Sequence, residues 1–586
     1  MSNTLHGLPS RMAITRFLSD YMERSGFLDH YGWSEDACQA LTEEVRALLD
    51  SGKIRIVPDP AVKAVVLNGT SRLTASFKVP LEPRLLRHSA RAEGLSEPLE
   101  EEMDFLNQTG WRLNPHMVAM LSTAKVDGPV AAMLAKVPNF LVAADEIGDQ
   151  AFFIPVFFDR VKRLYGEGEF SYTGNKLIRW CLDFAKKSEY SLGAAKKILA
   201  KVGIDWRQAK PRLANWQDWV KTEKDVFALR AYLFYLEVEE MGESGWALGG
   251  DMLTSGMTIG SILAGDLSLM RDCCILDEDG RDCRRAVGMG VIIPELLQPW
   301  AAFIRSKDAA KPLITRLFYG EAADSGAQGM FWEDPDRAPV GWRSPFGVIN
   351  PDVCQKKRSS WNADWAHIIE AVGPKAAFAA FKEVSTSYNN TFWGSYPSVR
   401  SLRQRVSEAF NFARDNGMEC VFHLPHGVVY SHHKWEINPQ GDTWRFRHKA
   451  PYLAEAGWAH GIDISLKGMV DVAGGHSLFV RIVHALDGWV RHKVNMKVRT
   501  MQRKLFGTEI GAASVHDFFM VPAAQALHLE GIVRSVLHEC VEVFPALIND
   551  FLTTYGQEPM KPWTRSQREM VHKAISRNRG YFTLGA

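Results

Sequence analysis

Between residues 225 and 240 the chain reads DVFALRAYLFYLEVEE, with apolar and aromatic side chains recurring at helical spacing, and this pattern predicts a buried helix. WALGG follows as a short apolar run, read as a strand that delivers Asp251 to a turn, with SGMTIGSIL as the next helix. In HALDGWVRHKVNMKVRTMQRKLFG, Val494, Val498, Met501 and Leu505 form an apolar stripe and basic residues occupy the other face, which again predicts a helix. It leads to AASVHDFFMVP, read as a hairpin presenting His516 and Asp517, and then to a long helix in AQALHLEGIVRSVLHECVEVF.

Elsewhere the patterning is coarser. ITRFLSDYMERSGFL and ALTEEVRALL are helical in period, SRLTASFKV alternates like a strand, and the charged RHSARAEGLSEPLEEEMDF reads as a boundary. LNQTGWRLNPHMVAMLSTAKV is expected to be a helical entry, and AFFIPVFFDRVKRLYGEGEF a buried run that emerges at a charged turn. Residues 376–418 are expected to be helical with an interruption at STSYNNTFWGSY, and 421–475 to form hairpins and loops around Pro425, Gly427, Pro439 and Gly441.

Composition narrows the class. The chain has 586 residues, 46% hydrophobic and 23% charged, with no low-complexity tract, as expected of an ordinary globular protein. A formal net charge of +1 excludes a strongly basic nucleic-acid coat but not a local basic channel. The eight cysteines have no CxxC pair and read as reduced thiols. Apolar runs such as VGMGVIIPELL are broken before they could span a bilayer, and MSNTLHGLPSRM has no signal-peptide core, so a cytoplasmic protein without membrane partners is expected.

Three stretches carry chemistry: GGDMLTSGM around Asp251, KPLITRLFYG from Lys311 to Gly320, and SVHDFF around Asp517. Asp251 and Asp517 each end a short apolar run, which suits carboxylates held at the floor of a cleft; either alone reads more readily as a surface-turn aspartate, and it is the joint pattern that favours the cleft. Lys311 and Tyr319 are eight residues apart, so both can project to one side of a helix toward one bound nucleotide, and Lys307 lies a turn earlier on the same face. His423, His426, His432 and His433 lack a zinc pattern, and GEGEF lacks the lysine of a phosphate loop.

In this order the stretches resemble the single-subunit, phage-type DNA-dependent RNA polymerases. GDMLTSGM, with Ser255-Gly256 after Asp251, is similar to their motif A; Lys307, Lys311, Tyr319 and Gly320 to motif B; His516-Asp517 to motif C. FVRIVHALDG resembles the family's histidine segment before motif C, and FFDRVKRLY its aspartate–arginine–tyrosine motif. The similarity is collinear over residues 105–586.

The resemblance implies an α/β (α+β) right-hand polymerase fold, with palm and fingers kept and thumb and N-terminal domain reduced. It implies two Mg2+ ions on Asp251 and Asp517, phosphate contacts from Lys311 and Lys307, and a ribose site at Tyr319, Gly320 and His484. Arg163 and Tyr165, with Ser255 and Gly256, would meet nucleic acid, and His516 would support Asp517. The implied partners are a DNA template, nascent RNA, nucleoside triphosphates and an accessory protein for template opening, around a monomeric catalytic chain encoded by a bacteriophage. The implied division is a reduced N-terminal region (1–104), entry helix and thumb remnant (105–158), palm with motif A (159–300), fingers (301–420), specificity hairpin (421–475) and palm with motif C (476–586). Pro312 directly after Lys311 departs from the pattern and is expected to kink the helix or mark its start; Lys307 stands where an arginine is usual. A family A-like DNA polymerase and a non-catalytic DNA-binding accessory protein remain the alternatives.

Overall fold

The computed structural model describes residues 54–56, 65–67, 97–125, 128–137, 140–154, 156–158, 164–166, 170–173, 175–277, 282–319, 323–332, 361–432, 435–437, 443–448, 462–467, 469–471 and 474–585. ITRFLSDYMERSGFL, ALTEEVRALL and SRLTASFKV lie outside these residues. The fold mixes helices with a seven-stranded antiparallel sheet. Its strands are β1 (Gly110–Leu113), β2 (Phe152–Phe153), β3 (Leu182–Glu189), β4 (Glu243–Met252), β5 (Ala513–Val515), β6 (Phe518–Pro522) and β7 (Phe582–Leu584). They run in the order β5-β6-β4-β3-β1-β2.

The helices used below are α1 (Glu97–Asn107), α2 (Glu223–Met241), α3 (Ser255–Ala264), α4 (Lys307–Phe318), α5 (Pro374–Ser395), α6 (Pro397–Asp415), α7 (Gly475–Phe506), α8 (Ala523–Thr554) and α9 (Arg565–Arg577). Among the described residues no helix is long and apolar enough to cross a membrane.

β4 is the axis of the sheet. One edge pairs with β6, Phe518 opposite Asp251 and Pro522 opposite Ala247. The other edge serves two strands in succession, β3 against Glu243–Trp246 and β7 against Gly250–Met252. Side chains alternate between the two faces of a strand. Trp246 packs on Phe227 and Phe234 of α2, so Asp251 points to the opposite face. Helix α2 is apolar nearly all round because it is buried between that sheet face and its neighbours, and Thr222 and Asp225 close its start as a capping box. Its Arg230 is fully buried and bonds Asp183 of β3, while Glu237 takes Asn114 and Ser244.

Three expectations change. GWRL within the predicted helical entry is strand β1, paired with β3, so the entry is helix, strand, then helix Pro115–Ser122. STSYNNTFWGS does not interrupt a helix; α5 runs through it, and the break falls at Tyr396, where the following Pro397 disfavours helical backbone. Pro312 neither starts nor stops α4, which begins at Lys307 behind the Ser306 cap and continues to Phe318.

Candidate active site

Two glycines prepare the floor. A side chain at Gly249 would overlap Phe518, and one at Gly250 would overlap Phe582, so the glycine pair lets rings from β6 and β7 close over the two faces of β4 just before Asp251. The chain then leaves the sheet under tight control. Met252 N donates to Asp517 O at 3.0 Å and Leu253 N to Tyr581 O at 2.8 Å. Thr254 takes a left-handed backbone (φ 51°), costly for a β-branched residue, before α3 begins at Ser255. His516, in the turn between β5 and β6, is also left-handed (φ 55°). Strain of this kind gathers at functional sites, and here it stands beside both aspartates.

The hairpin that carries Asp517 is fixed from behind. Asn495 of α7 donates to Ser514 at 3.0 Å and to Glu102 of α1 at 2.7 Å, and Gln502 donates to Gly511 O at 2.6 Å and accepts from the amides of Ile510 and Gly511. Thr109 exchanges hydrogen bonds with both backbone groups of Ala512. A short turn thereby acquires the rigidity of α7 and of the segment that ends α1.

Asp251 and Asp517 therefore meet at one end of neighbouring strands. Burial, then Asp251, then Asp487 of α7 push the Asp517 carboxyl up to about 8, against a hydrogen bond from Ser255. Burial also raises Asp251, against the opposing pull of Lys311, Arg179, Lys176 and Arg284. Arg179 comes from the helix Lys176–Cys181, braced by its Nε–H to Tyr172 O at 3.1 Å and laid 4.1 Å over the Phe518 ring. Burial pulls its guanidinium down to about 10, and Asp251 resists that shift. The result is a half-buried patch of carboxylates ringed by cations.

Beside it lies a second pocket wall. Tyr319, the residue that ends α4, points its hydroxyl at Gly256, where any side chain would overlap it, and its ring meets His484 at 4.8 Å between centroids. Gly256, Tyr319 and His484 thus form one surface from three helices.

The sequence candidates fall into four groups. Asp251, Asp517, Lys311, Ser255, Gly256, Tyr319 and His484 come together. Lys307 is engaged otherwise, its Nζ 3.1 Å from Asp282, which also holds Arg284. His516 rests edge-on against Tyr165, centroids 5.1 Å apart, so Tyr165 adjoins the hairpin. Arg163 and Gly320 lie outside the described residues, as do parts of the 421–475 segment, in which Thr443–His448 pairs with Ile462–Lys467. Sequence reading missed Lys176, Arg179, Asp282, Arg284 and Asp487. Only Asp487 gave a signal, three residues after His484 on the same helix face.

Among the described residues no three His, Cys, Asp or Glu side chains converge as a ready-made metal cage. Magnesium characteristically takes only one or two carboxylates, completing its shell with water and substrate phosphates. Two adjoining carboxylates, both raised by burial and Asp517 further by the charge of Asp251, are a donor set that fits it. Compared with known proteins, the chain matches no family model and no curated sequence.

Proposed function

We propose that the chain is a template-directed nucleotidyltransferase of right-hand polymerase type, a DNA-dependent RNA polymerase that uses nucleoside triphosphates. The observation that carries this reading is the register of β6 on β4, Phe518 opposite Asp251, which brings two carboxylates from distant sequence to one edge beside Lys311, Tyr319 and His484. In the reaction the 3′-hydroxyl of the growing RNA bonds to the α-phosphorus of the incoming nucleotide and pyrophosphate departs. Asp251 and Asp517 would hold two magnesium ions, which when bound neutralise charge on the reacting oxygens.

The remaining roles belong to the chain's own side chains. Lys311 faces Asp251 and offers a point charge to the phosphates. Tyr319, seated on Gly256 and against His484, presents an aromatic edge and a hydroxyl to the sugar, so the 2′ position is read by groups already held in place. Arg179 and Lys176 offset the carboxylates before substrate arrives. Lys307, tied to Asp282, steadies the start of α4 and is one step removed from the phosphates.

The test is extension of a primed DNA template by the purified chain with ribo- or deoxyribonucleotides. Magnesium-dependent extension with ribonucleotides that is lost in Asp251→Asn supports the reading. Preference for deoxyribonucleotides would make the chain a DNA polymerase. No extension together with firm template binding would make it an accessory protein.

A further inference from the structure

Away from the carboxylates, α8 and α9 meet through two histidines. His538 Nδ1 lies 2.7 Å from His572 Nδ1, with ring centroids 5.0 Å apart and planes only 24° from parallel. Those values describe two rings nearly coplanar and edge to edge, nitrogen aimed at nitrogen.

The outer nitrogens are committed. His572 Nε2 is 2.6 Å from Glu542 Oε1, and a carboxylate accepts, so this nitrogen carries a proton. Ser576 Oγ lies 2.9 Å from His572 O and 3.3 Å from His538 Nε2; with its hydroxyl proton given to the nearer carbonyl, its oxygen accepts from Nε2, which then carries a proton too. Two neutral rings so arranged would set two lone pairs against each other at 2.7 Å. One further proton between the Nδ1 atoms resolves the clash, giving an imidazole–imidazolium pair balanced by Glu542. A second further proton would set N–H against N–H and like charge against like.

The fixed charges act in the same direction. Arg534 lies one turn before His538 on α8, Arg568 of α9 bonds Glu542 at 3.4 Å, and the carboxylate of Glu542 sits on the outer side of His572. Burial, His572 and Arg534 together hold His538 below the ordinary histidine range.

We infer that His538 and His572 form a proton-operated clasp, closed while the pair shares one extra proton and released when both rings are fully protonated. What it fastens is the C-terminal strand. From α9 the chain passes Asn578, bonded to Ile275 O, and Tyr581, bonded by Arg534, into β7, where Thr583 lies opposite Asp251. Release of α9 from α8 therefore loosens the edge of β4 that carries Asp251. The inference holds whatever reaction the carboxylates perform.

The experiment is hydrogen exchange of the full chain at a series of pH values, read as protection factors. The reporters are the amides of Leu253, bonded to Tyr581 O, and Gly585, bonded to Gly249 O. Their protection should fall about tenfold per pH unit once the second proton binds, on the acid side of the ordinary histidine range near 6.5, while interior amides of α7 such as Val494 hold. His538→Gln or His572→Gln should remove the step, the second variant serving if the first does not fold. No step in the parent chain, the same step in both glutamine variants, or an equal fall at Val494 overturns the clasp. The last outcome would assign the change to general acid weakening, to which half-buried His426, pulled down to about 4 by burial and His492, contributes.

Discussion

Glu102 and Asp517 are both buried acids that answer to α7, and the molecule treats them in opposite ways. Burial would push Glu102 up, yet Arg491 and His492, with Asn495 adding a hydrogen bond, hold it down at about 2. Arg491 grips it with two bonds at 3.0 and 2.9 Å, and His492 adds one at 3.1 Å. One turn earlier the same helix turns Asp487 toward Asp517, which is driven up by burial, Asp251 and Asp487. A satisfied acid locks α1 to α7. An opposed pair of acids, offset only in part by Lys311, Arg179, Lys176 and Arg284, keeps an attraction for cations.

The sharpest break of that contrast is charge removal at the opposed pair. Asp251→Asn and Asp517→Asn should each lower extension by on the order of a thousandfold or more, measured as single-nucleotide addition, with template binding kept. Without added divalent cation, Asp517→Asn should also raise unfolding stability, by about 2 kcal/mol in denaturant titration, because the cost of the buried carboxylate disappears.

Glu102→Gln should do the reverse, lowering stability by about 3 kcal/mol or more, since Arg491 is left buried without its carboxylate. The parent chain carries the matching pH signature. Glu102 stays ionised in the fold to about 2 but takes its proton near 4.5 when unfolded, so its contribution of about 3 kcal/mol is complete above 4.5 and fades as pH falls toward 2. In Glu102→Gln that portion of the acid limb should vanish. If it persists, other carboxylates govern acid unfolding.

Smaller effects probe the wall beside the carboxylates. Gly256→Ala should displace Tyr319 and slow ribonucleotide addition by roughly tenfold to a hundredfold, with stability changed by less than about 1–3 kcal/mol, the usual cost of overpacking. Tyr319→Phe should be milder still, cutting preference for ribo- over deoxyribonucleotides by about tenfold while the ribonucleotide rate holds within a few-fold, in competitive extension. A collapsed rate with unchanged selectivity would make the ring a packing element only.

What the sequence made legible was local. The period of residues 225–240, the short apolar run before Asp251 and the apolar stripe of α7 gave elements whose types agree with the structure, because each rests on neighbouring residues. The strand GWRL and the unbroken α5 were hidden, since β1 exists only by pairing with β3, and the polar STSYNNT run is kept helical by Val384, Tyr388 and Phe392, buried at helical intervals. Within the site, aspartates and lysine were legible from their setting in short motifs. Arg179 was not, because its role arises from stacking on Phe518, more than three hundred residues away in the sequence. Nor was the diversion of Lys307 to Asp282, a contact that only folding creates.

The place of β7 has a consequence for how the protein is made. Asp251 lies near the middle of the chain, yet the edge of β4 beside it stays unpaired until residues 582–584 have left the ribosome, roughly tens of seconds later at ordinary rates of synthesis. During that interval the nascent chain exposes an open strand, a template for wrong pairing with its neighbours. Gly249 and Gly250 make that exposed stretch a poor partner for strangers, because glycine gives a strand little to hold. The edge closes firmly once Phe582 arrives to lie across the bare backbone of Gly250. The same two residues that open the floor of the site thus guard it during birth, and they leave the carboxylates without a finished scaffold until translation has reached β7.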